Sequence, residues 1–146
     1  MTEPIPPTSA DLVQVMVGAT PWAAALGFRV VSVGDARARL AIAWREDLVG
    51  DPETGVIAGG VATALLDHTC GASVMAAMTE RQAIATLDLR IDYMRGAAPR
   101  RDLFAEAHCY KITRTVAFVR AVAFEDTPDD PVANATAAFM LTGKPR

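Results

Sequence analysis

The sequence predicts an α+β fold in which an antiparallel, curved sheet wraps around one long central helix. Three observations carry this. From Thr54 to Thr79 the chain is almost entirely apolar or small, a run long enough for a buried helix. Four strand-like segments follow it in succession, and a strand pair separated by a turn signal precedes it. A single apolar helix beside a largely antiparallel sheet must be covered by that sheet, and a curved sheet buries both.

At 146 residues the chain is long enough for one domain with a real core, and we read residues 1–146 as a single domain. Residues 1–8, rich in proline, read as an irregular lead-in. Next, SADLVQVMVGAT is a short helix that Ser9 can cap, with Leu12, Val15 and Met16 on one face. Pro21 to Leu26 adds a second short helix before Gly27. In FRVVSVGDARARLAIAW, Gly34-Asp35 marks a turn. Beyond it Ala38, Leu40 and Ile42 alternate with Arg37, Arg39 and Ala41, the period of a half-buried strand.

The loop Asp51-Pro52-Glu53-Thr54-Gly55 leads into the long helix, which should start near Gly59-Gly60. After it, TLDLRIDYM places Leu87, Leu89, Ile91 and Tyr93 on one strand face. DLFAEAHCYKI, TVAFVRAVAFE and VANATAAFMLTG are three further strands, and the four together suggest an antiparallel meander.

Composition narrows the function. The chain is 51% hydrophobic with a net charge near −3, and it has no strongly basic field, which speaks against nucleic acid as a partner. The apolar run Val56–Leu66 is too short to cross a bilayer, and the first residues do not form a signal peptide, so a cytoplasmic location and no membrane partner are expected. Cys70 and Cys109 are isolated thiols without metal-ligand spacing. Asp126, Asp129 and Asp130 lie in a Thr-Pro-Asp-Asp turn, and no metal is expected there.

One residue stands out. Asp67 is the only carboxylate between Thr54 and Thr79, and burying a carboxylate costs several kcal/mol unless it is hydrogen-bonded, paired or neutralised. It is either a structural exception, held by a hydroxyl such as Thr63 or Thr69, or the working part of the molecule. His68 is adjacent, but neighbouring helix residues diverge by about 100°, so the two do not form a dyad. His68, His108 and Cys70 read as packing residues, and Met75 and Met78 as core filling.

GVIAGGVATALLD, TLDLRIDYMRGA and TRTVAFVRA, in that order and spacing, resemble the PaaI-like group of hotdog-fold acyl-CoA thioesterases. The resemblance covers roughly residues 10–143. The family's motif is His-Gly-Gly, six residues and Asp. Gly59, Gly60 and Asp67 match it, whereas Ala58 stands at the histidine. Thr86 occupies the position from which a Ser or Thr helps to position water. Pro52 stands where some relatives carry an Asn. The resemblance implies an acyl-CoA substrate, aromatic or medium-chain, hydrolysed without any cofactor, CoA being part of the substrate.

On that reading the free N–H groups of Gly59, with Gly60, form the oxyanion hole, and Asp67 is general base or nucleophile. Thr86 assists. Arg95 and Arg114 are the expected contacts for the CoA phosphates. Alternation alone puts Thr86 on the strand face away from the helix, so its role requires a bend or bulge at the start of its strand, unless it faces a second dimer. Eight helical residues rise about 12 Å, so Gly59 and Asp67 of one chain do not both reach one carbonyl carbon. A homodimer, or a dimer of dimers, with antiparallel helices would bring Asp67 of one subunit to Gly59 of the other. The alternative is a hotdog protein that binds acyl-CoA without turning it over, because Ala58 and Pro52 lack the side chains of the motif. A hydroxyacyl dehydratase is a weaker third reading.

Overall fold

The computed structural model describes residues 8–143. Residues 1–7 of the lead-in predicted for residues 1–8 lie outside this range. Helix α1 (Ser9–Ala19) begins with a capping box in which the Thr8 hydroxyl accepts from the Asp11 N–H and the Asp11 carboxylate accepts from the Thr8 N–H. The cap is therefore Thr8 and not Ser9. The buried face is Val13 and Val17, while Val15 is exposed, one helical step from the stripe expected. Helix α2 (Pro21–Leu26) opens on proline and closes on Gly27, whose φ of 77° is the left-handed cap that glycine adopts without strain.

Strands β1 (Phe28–Gly34) and β2 (Arg37–Ile42) form the predicted hairpin. Its tight turn uses Asp35 and Ala36, both at positive φ, the twist that suits a two-residue hairpin. A 3-10 turn (Glu46–Leu48) leads into a small ribbon of β3 (Val49–Asp51) and β4 (Val56–Ile57). Then comes the long helix α3 (Gly59–Ala77), starting where the sequence placed it.

The remaining strands are β5 (Ile84–Tyr93), β6 (Leu103–Ile112), β7 (Val116–Phe124) and β8 (Ala133–Leu141). They join the hairpin in one antiparallel sheet of order β1-β2-β6-β7-β8-β5. The expected four-strand meander is only partly right. β6, β7 and β8 are sequential neighbours, but β5 pairs with β8 and not with β6, which carries it to the edge. There its pairing spares β6 for β2 and closes the six strands into one layer.

The sheet's inner face is built from small residues: Ala105, Ala107, Ala117, Ala121, Ala123, Ala133, Ala135 and Ala137 are all buried. Small side chains let α3 approach closely, and its own Leu65, Leu66 and Val74 fill the space between. Each fully buried leucine contributes about 2 kcal/mol of transfer free energy. Thr69 and Ser73 are also buried, and each donates its hydroxyl to a carbonyl of α3 itself, Leu65 and Cys70 respectively. None of the described helices is long and apolar enough to cross a membrane.

The start of α3 is held from outside. The Ala58 N–H donates to the Leu48 carbonyl, and Gly50 comes so close that a Cβ there would lie 2.7 Å from the Ala58 Cα. Neither backbone can yield easily. Gly50→Ala should therefore destabilise the protein by about 1–3 kcal/mol, the ordinary cost of overpacking. An unchanged midpoint in urea denaturation would show that this contact does not fix the helix start.

Candidate active site

Asp67 lies near the middle of α3, half-buried, on the side that faces the edge strand β5. Its Oδ1 accepts a hydrogen bond of 2.9 Å from the Thr86 hydroxyl. Thr86 reaches it because the β5–β8 register shifts between Thr86 and Asp88; of the expected bend, bulge or second-dimer placement, this is the bulge. The extra residue turns Thr86 toward the helix and leaves Leu87 51% exposed, so Leu87 does not join the apolar face assigned to it. Thr63 and Thr69, the alternative partners, are occupied elsewhere. Among the described residues Oδ2 has no hydrogen-bond or ion-pair partner, so the carboxylate keeps one oxygen for other chemistry.

Gly59 and Gly60 are the first residues of α3 and both are exposed. Neither N–H has an acceptor among the described residues, as the first turn of a helix dictates. Ala58 precedes them as an N-cap whose side chain makes no capping bond. A Cβ on Gly60 would meet nothing within 4 Å, and one on Gly59 would only touch the Tyr93 hydroxyl at 3.5 Å. The protomer itself does not demand glycine at these two positions by packing, which leaves access to the backbone as the reason for them.

Tyr93, at the far end of β5, is the residue that sequence reasoning missed. Its hydroxyl donates to the Gly59 carbonyl at 2.7 Å and lies 3.1 Å from the Thr63 hydroxyl. The only sequence signal was a polar-tipped aromatic closing an apolar strand face. Beside it, a cavity of about 190 Å³ opens next to Gly59. Val56, Ile57, Ala62, Leu103 and Val132 supply its apolar wall.

The predicted phosphate contacts are placed differently from each other. Arg95 lines the same cavity, but its guanidinium is held by Glu125 at 2.6 Å and by Asp130 at 3.3 Å. Its geometry is that of a clamp on the wall, not of a cation awaiting a ligand. Arg101 likewise pairs with Asp126. Arg114 is exposed and lies beyond the C-terminal end of α3, in a groove shared with Glu80, Gln82 and Thr115. No salt bridge is formed by it among the described residues. Asp51, next to Pro52, spends its carboxylate on the Glu53 N–H and the Thr54 hydroxyl.

The other candidates fall to packing. The His68 ring lies against Trp22 and Phe28, at centroid distances of 5.2 and 5.4 Å. Burial pulls its pKa below the ordinary value, and the Asp67 charge opposes this without reversing it. Burial also pushes the Cys70 thiol far above the usual range, with Asp67 adding to the effect, so it is no nucleophile. No cluster of three or more His, Cys, Asp or Glu residues fit to hold a metal exists among the described residues.

The model for the thioesterase superfamily matches residues 54–132, more than half of the chain. This chain belongs to the thioesterase superfamily. A Halobacterium salinarum protein, whose esterase designation is provisional, is 34% identical over 126 residues, covering 83% of this chain and 82% of its own. A crystal structure from Pseudomonas aeruginosa is 36% identical with a TM-score of 0.81, covering 88% of this chain and 95% of that one. A single-site mutant of the phenylacetic acid degradation protein PaaI from Thermus thermophilus superposes with a TM-score of 0.71 at 24% identity. It covers 83% of this chain and 98% of that one, a likeness of fold. The hotdog architecture is thus the superfamily's, as the motifs implied, and the chain is a hydrolase of that class.

Within the superfamily fold, the Arg95–Glu125 clamp fixes the loop that follows β5. Glu125 is buried, which pushes its pKa up, but bonds from the Arg95 guanidinium and the Ala98 N–H outweigh this and hold it below the ordinary 4.5. A lowered folded-state pKa means that the clamp's stabilisation is complete above about pH 4.5 and is lost as acid protonates Glu125. Glu125→Gln should cost about 1.5–3 kcal/mol at pH 7, the worth of hydrogen bonds to a charged group. The gap from wild type in thermal melts should narrow as the pH falls below 4.5 and acid protonates Glu125. An equal gap at pH 7 and in acid would contradict the clamp.

Proposed function

We propose that this protein hydrolyses acyl-CoA thioesters at a site shared between two subunits. The observation that carries the reading is the pair of contacts at the two ends of β5. Thr86 bonds Asp67 and Tyr93 bonds Gly59, so β5 runs alongside α3 in the opposite direction, with one candidate group beside each end. β5 is also an edge strand, ten residues long and mostly exposed. Such an edge invites a partner strand.

A two-fold axis running beside the outer edge of β5, level with Leu89 and Arg90 midway between Thr86 and Tyr93, would pair β5 with its copy. The same operation would set Asp67 of one subunit against Gly59 of the other. Each dimer would then hold two equivalent sites.

At such a site the thioester carbonyl oxygen would accept from the Gly59 and Gly60 N–H groups, where the helix dipole favours developing negative charge. Asp67 would either take a proton from water as that water adds to the carbonyl carbon, or add directly to give a mixed anhydride. In both routes the C–S bond breaks, the sulfur leaves as CoA thiolate, and water supplies the oxygen of the free acid. Thr86 would hold the carboxylate through one oxygen while the other reacts. The cavity beside Gly59 is of the size that accepts an aromatic ring or an aliphatic chain of similar bulk, since cavities of about 150 Å³ hold benzene. The chemistry requires no metal and no redox cofactor, and CoA thioesters would be met in the cytoplasm. Arg114, exposed beyond the C-terminal end of α3, is the candidate cation for the nucleotide phosphates.

The second reading, an acyl-CoA-binding protein without turnover, is favoured by Ala58 and its missing side-chain donor. A panel of CoA thioesters separates the two: turnover by wild type that survives intact in Asp67→Asn would sink the enzymatic reading. For the shared site, equal amounts of Gly59→Ala and Asp67→Asn chains should be refolded together. Half of the dimers would be mixed, each with one complete site, so about a quarter of wild-type activity should return. No rescue would show that each site is built from one chain. Arg114→Ala should raise KM several-fold for a CoA thioester and leave a short thioester without a nucleotide unchanged. Equal effects on both would remove Arg114 from the CoA site.

A further inference from the structure

We infer that Tyr93 is a positioning residue for the oxyanion site, acting through the peptide that joins Gly59 to Gly60. The inference rests on the thioesterase reading above and adds a group that the sequence motifs do not contain. The carbonyl of this peptide is Gly59 O and its amide hydrogen is that of Gly60. The Tyr93 hydroxyl donates to that carbonyl at 2.7 Å, the shortest contact made by any side chain at the start of α3. Thr63 lies within reach of both, 3.1 Å from the Tyr93 hydroxyl and 3.2 Å from Gly59 O. Both hydroxyls are placed to donate to Gly59 O, so Tyr93 and Thr63 brace the same carbonyl.

The physical consequence lies on the opposite edge of the same peptide. A hydrogen bond to a peptide carbonyl draws electron density toward oxygen and makes the N–H a stronger donor. It also stops the first peptide of the helix from tilting. This matters at a glycine pair, where the backbone is least restrained, and where Ala58 contributes no side-chain bond. Tyr93 thus restrains and polarises the Gly60 N–H that a thioester oxyanion would meet.

Its position favours this over plain packing. In the single chain the side chain is 51% exposed, so it is not part of the protomer's own core. Its hydroxyl lies over Gly59 and its ring borders the cavity that opens there. β5 carries it at one end and Thr86 at the other, so the two-fold described above would bring it beside the partner's Asp67 as well. The aromatic ring can remain while the hydroxyl is removed, which makes the role separable from the fold.

The test is Tyr93→Phe, with Thr63→Val as a second variant that keeps the tyrosine. Complete loss of an oxyanion donor costs on the order of 100-fold in kcat or more, so loss of a polarising partner should cost about ten-fold. KM for the same acyl-CoA should change less than two-fold, and the melting temperature should stay near wild type. Thr63→Val should give a smaller fall in kcat of the same kind. A separate readout needs no turnover: the backbone ¹⁵N resonance of Gly60 should move upfield in Tyr93→Phe while that of Gly71, in the interior of α3, stays in place. Active wild-type protein with an unchanged kcat in Tyr93→Phe, or an unmoved Gly60 resonance, would overturn this inference alone. Wild-type protein that turns over no acyl-CoA would overturn the functional reading and this inference with it.

Discussion

The fixed rise of one helix governs how this protein can work. Gly59 and Asp67 are both in α3, eight residues apart, and a helix separates them by about 12 Å and roughly 80° of rotation. No side-chain rearrangement closes that distance, because the amide belongs to the backbone and an Asp side chain is short. The sheet supplies what the helix lacks. β5 runs beside α3 and touches it at both candidate positions, and its outer edge is open among the described residues. On our proposal the edge strand sets the register of two helices, and the chemistry arises at their crossing.

The same arrangement explains why a carboxylate is tolerated within so apolar a helix. Asp67 is half-buried, bonded through one oxygen by Thr86, and turned toward the sheet edge instead of the core. The residues that face the core at neighbouring positions, Leu65, Leu66 and Thr69, are fully buried. Position on the helix surface thus decides whether a polar group costs stability or is available for reaction. Thr69 satisfies itself on its own helix. Asp67 cannot, and is met by a strand.

Much of this was legible in the sequence, for identifiable reasons. The start of α3 at Gly59 followed from two adjacent glycines before a long apolar run. That Thr86 needs some break in alternation to reach the helix followed from the period of two in a strand, but which irregularity supplies it did not. Other features depend on tertiary context. β5 pairs with β8 because the sheet has to accommodate β2 beside β6, and a local pattern says nothing about that choice. Arg95 looks like any cation in a basic turn until Glu125, thirty positions along the chain, is found to occupy it. Tyr93 looked like one more apolar strand residue, because its hydroxyl's partner is a backbone carbonyl, which leaves no mark on sequence patterns. The α1 stripe slipped because Val15 and Val17 are chemically alike, and only packing against β1 and α3 distinguishes them.

The central claim is that one scissile carbonyl meets groups from two chains. A crystal structure with a non-hydrolysable acyl-CoA analogue tests it most directly. The account predicts the analogue's carbonyl oxygen about 3 Å from the N–H groups of Gly59 and Gly60 of one subunit, with the carboxylate facing its carbon coming from Asp67 of the other. A carbonyl bound by groups of a single chain, or a ligand seated away from the start of α3, would contradict it.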